Sequence, residues 1–174
     1  AGVYSGHDCS FYVSENGKPI IHAEYERYIR EKEPAGDSIG FMLREYEDCD
    51  DIKYAATCHP VAKTFGYEES YAKLEKIIEK NDGKMFSVGH HEAHAANAFF
   101  SSNFEDALIV TFDGGGYEDD NFISAFTAWQ GRGNKIKPLF LSPLKQINIG
   151  GVWTRVTRYV FKLSSGWPKG HSAG

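Results

Sequence analysis

Ser10-Phe11-Tyr12-Val13-Ser14, Asn16-Gly17 and Lys18-Pro19-Ile20-Ile21-His22-Ala23-Glu24 decide how this chain folds at its start. The first run reads as a strand. Asn16-Gly17 is the strongest short hairpin signal, because both residues tolerate positive φ. The third run is the return strand. With Gly2 to Ser5 ahead of them, the expectation is three consecutive antiparallel strands.

Further along, the hydrophobic period changes. Ile39, Met42, Leu43 and Tyr46 recur at helical spacing after a possible cap, Asp37, and predict a helix within Gly36 to Tyr46. Ile52 to Cys58 reads as a short strand, with Pro60 as a breaker. Tyr71, Leu74, Ile77 and Ile78 form the buried stripe of an amphipathic helix from Glu68 to Lys80. Lys84 to Val88 reads as a strand, His91 to about Ser101 as a helix, and Asp106 to Phe112 as a strongly apolar strand. The opening order then returns: a strand ending at Asp113, a strand from Phe122 to Trp129, the turn Gly131-Arg132-Gly133-Asn134, a strand from Ile136 to Leu141, and a helix from about Val152 to Leu163. Each copy places an Asp among small residues where its first strand meets the hairpin. Such a repeat of architecture predicts two units, 1–105 and 106–174, with a cleft between two similar lobes.

Composition sets the limits. The 174 residues are 41% apolar and 14% aromatic, enough for a real core. The formal charge of −5 argues against a nucleic-acid binder, which shows a basic stripe. No apolar run reaches membrane-spanning length, and no basic-then-apolar leader opens the chain. Cys9, Cys49 and Cys58 lack CxxC spacing and read as ordinary thiols of a reducing compartment, so a cytoplasmic location is expected. Ala1-Gly2-Val3-Tyr4 resembles the inside of a strand, and His171-Ser172-Ala173-Gly174 resembles no terminal element. The expectation is a fragment of a longer protein.

The chemistry concentrates in two places. His90 and His94 stand four apart, on one face of a helix, where two imidazoles can share a metal ion. A 2-His-1-carboxylate set with open positions suits iron(II). Glu92 lies on another face, so the third ligand must come from elsewhere. The zinc-protease motif is excluded, because only Ala93 separates Glu92 from His94. His91 reads as a neighbour of the site or a surface residue. The alternative is that all three histidines merely cap a helix start. Asp113-Gly114-Gly115-Gly116 is either a hairpin approach or a turn whose backbone comes close to a phosphate. Asp8 is a turn-former, and His7 beside it is a base that titrates near neutrality. Arg27 and Arg30, in the charge run from Glu24 to Lys32, are solvated charges or a fork for an anion.

Four of these motifs stand in a series: Gly6-His7-Asp8-Cys9-Ser10 with its hairpin, Glu24-Tyr25-Glu26-Arg27-Tyr28-Ile29-Arg30, His90-His91-Glu92-Ala93-His94-Ala95-Ala96-Asn97-Ala98-Phe99, and Leu108-Ile109-Val110-Thr111-Phe112-Asp113-Gly114. The series resembles the amino-terminal part of the O-carbamoyltransferases of the nodulation-factor and antibiotic-tailoring type. It resembles, more distantly, the metal-binding subunit that makes threonylcarbamoyladenosine on tRNA. Gly166-Trp167-Pro168-Lys169-Gly170-His171 is compatible with it. The resemblance implies an α/β fold of ribonuclease-H-like units of the actin/Hsp70-like ATPase superfamily. It implies transfer of a carbamoyl group from carbamoyl-adenylate, made from carbamoyl phosphate and ATP, to an acceptor hydroxyl. A carboxy-terminal domain would make the adenylate. His90 and His94 would hold a divalent metal, iron before zinc, with the remaining acidic ligand beyond Gly174. His7 would be the base, supported by Asp8. Asp113, Gly114, Gly115 and Gly116 would border the nucleotide or carbamoyl group, and Arg27 would contact it. Three departures stand out: Cys9 and Glu92 replace small and aliphatic residues, and the glycines after Asp113 are more numerous. Two other functions remain open, a tRNA-modifying transferase and an ATP-binding module without transfer chemistry.

Overall fold

The computed structural model describes residues 1–6, 8–32, 34–58 and 66–163. They form two compact units, Ala1–Val88 and Gly89–Gly174. His7, Pro60 and the segment Gly166 to His171 lie outside the described residues.

Unit 1 begins with the expected meander. Strands β1 (Gly2–Tyr4), β2 (Ser10–Glu15) and β3 (Lys18–Glu24) pair antiparallel. Asn16 and Gly17 take the positive φ of the tight turn, 50° and 76°. Strand β4 (Tyr54–Cys58) then pairs parallel to β1, and β5 (Lys84–Val88) parallel to β4. The sheet is mixed and five-stranded, in the order β3-β2-β1-β4-β5.

Three helices belong to this unit. Helix α1 (Tyr25–Ile29) occupies the charge run from Glu24 to Lys32, where the sequence pattern predicts no helix. Aromatic packing explains the difference, since Tyr25 and Tyr28 both set their rings against Phe41, with centroids 5.1 and 4.8 Å away. Helix α2 (Ser38–Glu45) starts where Asp37 accepts the Gly40 N–H at 3.0 Å, the expected cap. Helix α3 (Glu68–Lys80) buries Leu74 and Ile78 completely, with Tyr71 and Ile77 flanking them. Alternate strand residues Val3, Phe11, Val13, Ala23 and Ala55 meet Ile39, Phe41, Met42, Leu74 and Ile78 in one core.

Unit 2 opens with α4 (His90–Phe100) and continues with the antiparallel sheet β6 (Asp106–Tyr117), β7 (Ile123–Arg132) and β8 (Lys135–Pro143). The three-strand meander is thus repeated, as the sequence indicates. The helix lies on one sheet face, where Ala95 and Phe99 pack with Ile109 and Trp129. A Cβ at Gly131 would stand 2.5 Å from the Phe99 ring, so that glycine permits the contact. The turn between β7 and β8 is only Gly133-Asn134, tighter than the four residues expected.

Two elements differ from expectation. Strand β6 does not end at Asp113 but runs on to Tyr117, with its register shifting between Phe112 and Gly116. The glycines let the strand bulge and resume pairing instead of turning away. The last helix starts earlier than expected, as α5 (Ile149–Arg155), because Asn148 accepts the Gly151 N–H and caps it. It then loosens into a π-helical turn, Val156–Val160. No helix among the described residues is long and apolar enough to cross a membrane.

Candidate functional site

The first turns of α4 and the bulge of β6 bring three histidines and two carboxylates together. Helical spacing puts His94 one turn above His90, and their Nε2 atoms lie 3.1 Å apart. The bulge delivers Asp113, whose Oδ2 is 2.5 Å from His90 Nε2 and 3.5 Å from His94 Nε2. Three donor atoms therefore converge on one small volume. Asp113 is the carboxylate that the sequence places at the nucleotide instead and that no local spacing ties to the histidines. The separation of 23 positions between it and His90 is closed by sheet and helix packing alone.

The second oxygen of Asp113 has other partners. Oδ1 accepts the Gly115 N–H at 2.6 Å, and His91 Nε2 lies 3.2 Å from it. His91 is fully buried, which excludes the surface alternative and leaves its reading as a neighbour of the site. Its Nδ1 meets Glu118 Oε1 at 2.7 Å, and its backbone N–H donates to the same oxygen at 3.0 Å. Glu118, just after β6, is the residue that sequence reasoning misses, since no motif links it to position 91. His90, His91 and Asp113 all present donor atoms within 4.8 Å of one another. Their partners nevertheless divide by oxygen: His90 and His94 share Oδ2, while His91 faces Oδ1.

Electrostatics follow from this packing. Burial disfavours a charged His91 ring, but the neighbouring Asp113 and Glu118 carboxylates outweigh it and push the ring up to about 9. Burial likewise opposes a charged Asp113, but the His90, His91 and His94 rings around it hold its carboxyl well below the usual range. Glu92 reaches back to the Gly89 N–H at 3.3 Å and closes the helix start, away from the cluster.

The glycines around Asp113 serve close approach. A Cβ at Gly116 would stand 2.1 Å from Cγ of His90, and one at Gly150 would stand 2.4 Å from the Asp113 carbonyl carbon. Gly115 takes φ +123°.

The remaining sequence candidates lie in unit 1. Asp8 is exposed and takes φ 57°. With Cys9, Ser10, Glu24, Glu26 and Arg27 it lines a cavity of about 320 Å³. The Arg27 guanidinium is met by Glu24 at 2.8 Å and Glu26 at 3.2 Å.

No family model matches the chain. It is 30% identical to the nodulation protein NolNO of Sinorhizobium fredii, over 88% of this chain and 25% of that protein. An uncharacterized protein of Methanocaldococcus jannaschii is 27% identical over 66% of the chain and 22% of its own length. An uncharacterized protein of Synechocystis is 33% identical over 57% and 15%. The chain thus spans a quarter or less of the length of the curated relatives it matches. The resemblance to the nodulation type holds in that the chain is similar to the nodulation protein NolNO over most of its own length.

Proposed function

We propose that this chain supplies the metal-holding part of an O-carbamoyltransferase, which moves a carbamoyl group from carbamoyl-adenylate to an acceptor hydroxyl. The observation that carries the reading is the convergence of His90 Nε2, His94 Nε2 and Asp113 Oδ2, with separations of 2.5 to 3.5 Å. Ligand atoms bound at about 2.1 Å to one ion stand about 3.0–3.4 Å apart, so the two His94 separations match and the direct His90–Asp113 hydrogen bond opens when an ion enters. Two imidazoles and one carboxylate oxygen suit iron(II) first and zinc second. When bound, the ion supplies a Lewis acid for a carbonyl or phosphate oxygen. The relationship to NolNO supports the transferase reading of such a site.

The residues have separate tasks. His90, His94 and Asp113 hold the cation and keep their lone pairs aimed at one point. His7 is the base: it takes the acceptor hydroxyl proton as the acceptor oxygen bonds to the carbamoyl carbon. The bond from that carbon to the adenylate phosphate oxygen breaks, and AMP leaves. Asp8 supports His7. Arg27 and the backbone of Gly114 to Gly116 are candidate contacts for the nucleotide. ATP and carbamoyl phosphate would be consumed upstream, by a carboxy-terminal domain of the full-length protein. A ribonuclease-H-like reading of unit 1 is supported by its antiparallel three-strand start continuing into two parallel strands. An ATP-binding module without transfer chemistry would share that sheet but gives no reason for the convergent imidazoles.

The test uses His90→Ala in the full-length protein. Bound metal and carbamoyl transfer should both be lost, while carbamoyl-phosphate-dependent ATP–pyrophosphate exchange continues. Transfer at the wild-type rate in that variant would falsify the metal role.

A further inference from the structure

His91 is the most deeply buried histidine of the cluster, and its ring faces Oδ1 of Asp113, whereas His90 and His94 share Oδ2. Its ring is aimed by Glu118. One carboxylate oxygen, Oε1, takes both the His91 backbone N–H at 3.0 Å and Nδ1 at 2.7 Å. An ionised carboxylate only accepts, so Nδ1 carries a proton. Two bonds to one acceptor fix the ring's plane and direction. Glu118 is itself tightly placed: a Cβ at Gly89 would stand 2.4 Å from its Oε2 and 3.2 Å from its Cα.

The other ring nitrogen then faces Asp113. His91 Nε2 lies 3.2 Å from Oδ1, an ion-pair distance, but out of line for a hydrogen bond. It is the buried side-chain polar atom without a hydrogen-bond partner among the described residues. Leaving such an atom unpaired is unfavourable, and the group in front of it is the Asp113 carboxylate. Oδ1 also takes the Gly115 N–H. The oxygen left for His90 and His94 is Oδ2.

Resting on the metal-holding reading above, we propose that Glu118 and His91 are positioning residues for Asp113. Glu118 fixes the His91 ring, the ring holds Oδ1, and Oδ2 is thereby presented to His90 and His94. Neither residue binds the ion itself. Groups that orient a metal ligand in this way typically change affinity about 10–100-fold.

The experiment titrates the metal-free full-length protein with Co²⁺, whose visible bands report ligand number and geometry. Melting of the metal-free variants is followed in parallel. Wild type should bind one equivalent. Glu118→Ala and His91→Phe should bind the same equivalent with the same bands, but about 10–100-fold more weakly. Glu118→Gln keeps an oxygen acceptor for both His91 N–H groups and should recover most of the affinity, including where Glu118→Ala does not fold. Wild-type affinity in His91→Phe, with only melting lowered, overturns the proposal. Loss of the bands in His91→Phe, as in His90→Ala, makes His91 a ligand and also overturns it. A wild-type protein that takes up no Co²⁺ is a different result, because it removes the metal-holding reading itself.

Discussion

Of the three consecutive glycines after Asp113, two are required, each for a different reason. Gly116 has no room: a Cβ there would meet the His90 ring at 2.1 Å. Gly115 has the wrong backbone for any other residue, with φ +123°. Gly114 has neither constraint, since nothing stands within 4 Å of its Cβ position. Gly116→Ala should therefore displace His90 and weaken metal binding by about tenfold or more. Gly114→Ala should leave metal affinity and melting temperature at wild-type values. Co²⁺ titration of both variants checks the contrast. In sequence the run is one motif, either an anion turn or a hairpin approach. The distinction among its members depends on what packs against each, and an imidazole from residue 90 is not visible from residue 116. The same holds for His91, whose neighbours Asp113 and Glu118 come from more than 20 residues away.

Elements whose cause is local match the sequence closely. Helix α3 and strands β3 and β5 have the expected bounds, because periodicity and turn residues fix them. Helix α2 starts where its cap says. Asp37 accepts from the Gly40 N–H and also from Ser70 Oγ on α3, so one carboxylate both caps a helix and ties it to the next. Asp37→Ala should lower unit 1 stability by about 0.5–2 kcal/mol for the cap alone, read by urea denaturation. A null result there would mean that solvent replaces the cap at no cost. Elements with a distant cause were less legible. Helix α1 forms because two tyrosines find Phe41, and β6 passes through Asp113 because β7 is there to pair again with Gly116 and Tyr117.

At the scale of the whole molecule, each unit has its own core. Leu74 and Ile78 anchor the first, Phe99 and Trp129 the second. Leu74→Ala should cost about 2–5 kcal/mol and Phe99→Ala about 3–5 kcal/mol. Amide exchange assigns each loss, with β4 and β5 responding to the first change and β6 and β7 to the second. Equal responses of both strand pairs to either variant would contradict two separate cores. By itself the sequence determined the alternation of strands and helices, the hairpin at Asn16-Gly17, the repeated three-strand order and the pairing of His90 with His94. These follow from spacing along the chain, where period and turn chemistry act over a few residues. Only the tertiary structure decided that Asp113 completes the imidazole pair and that His91 is buried between Asp113 and Glu118. Those contacts exist because α4 packs on β6 and a bulge redirects one carboxylate, and neither event has a local signature.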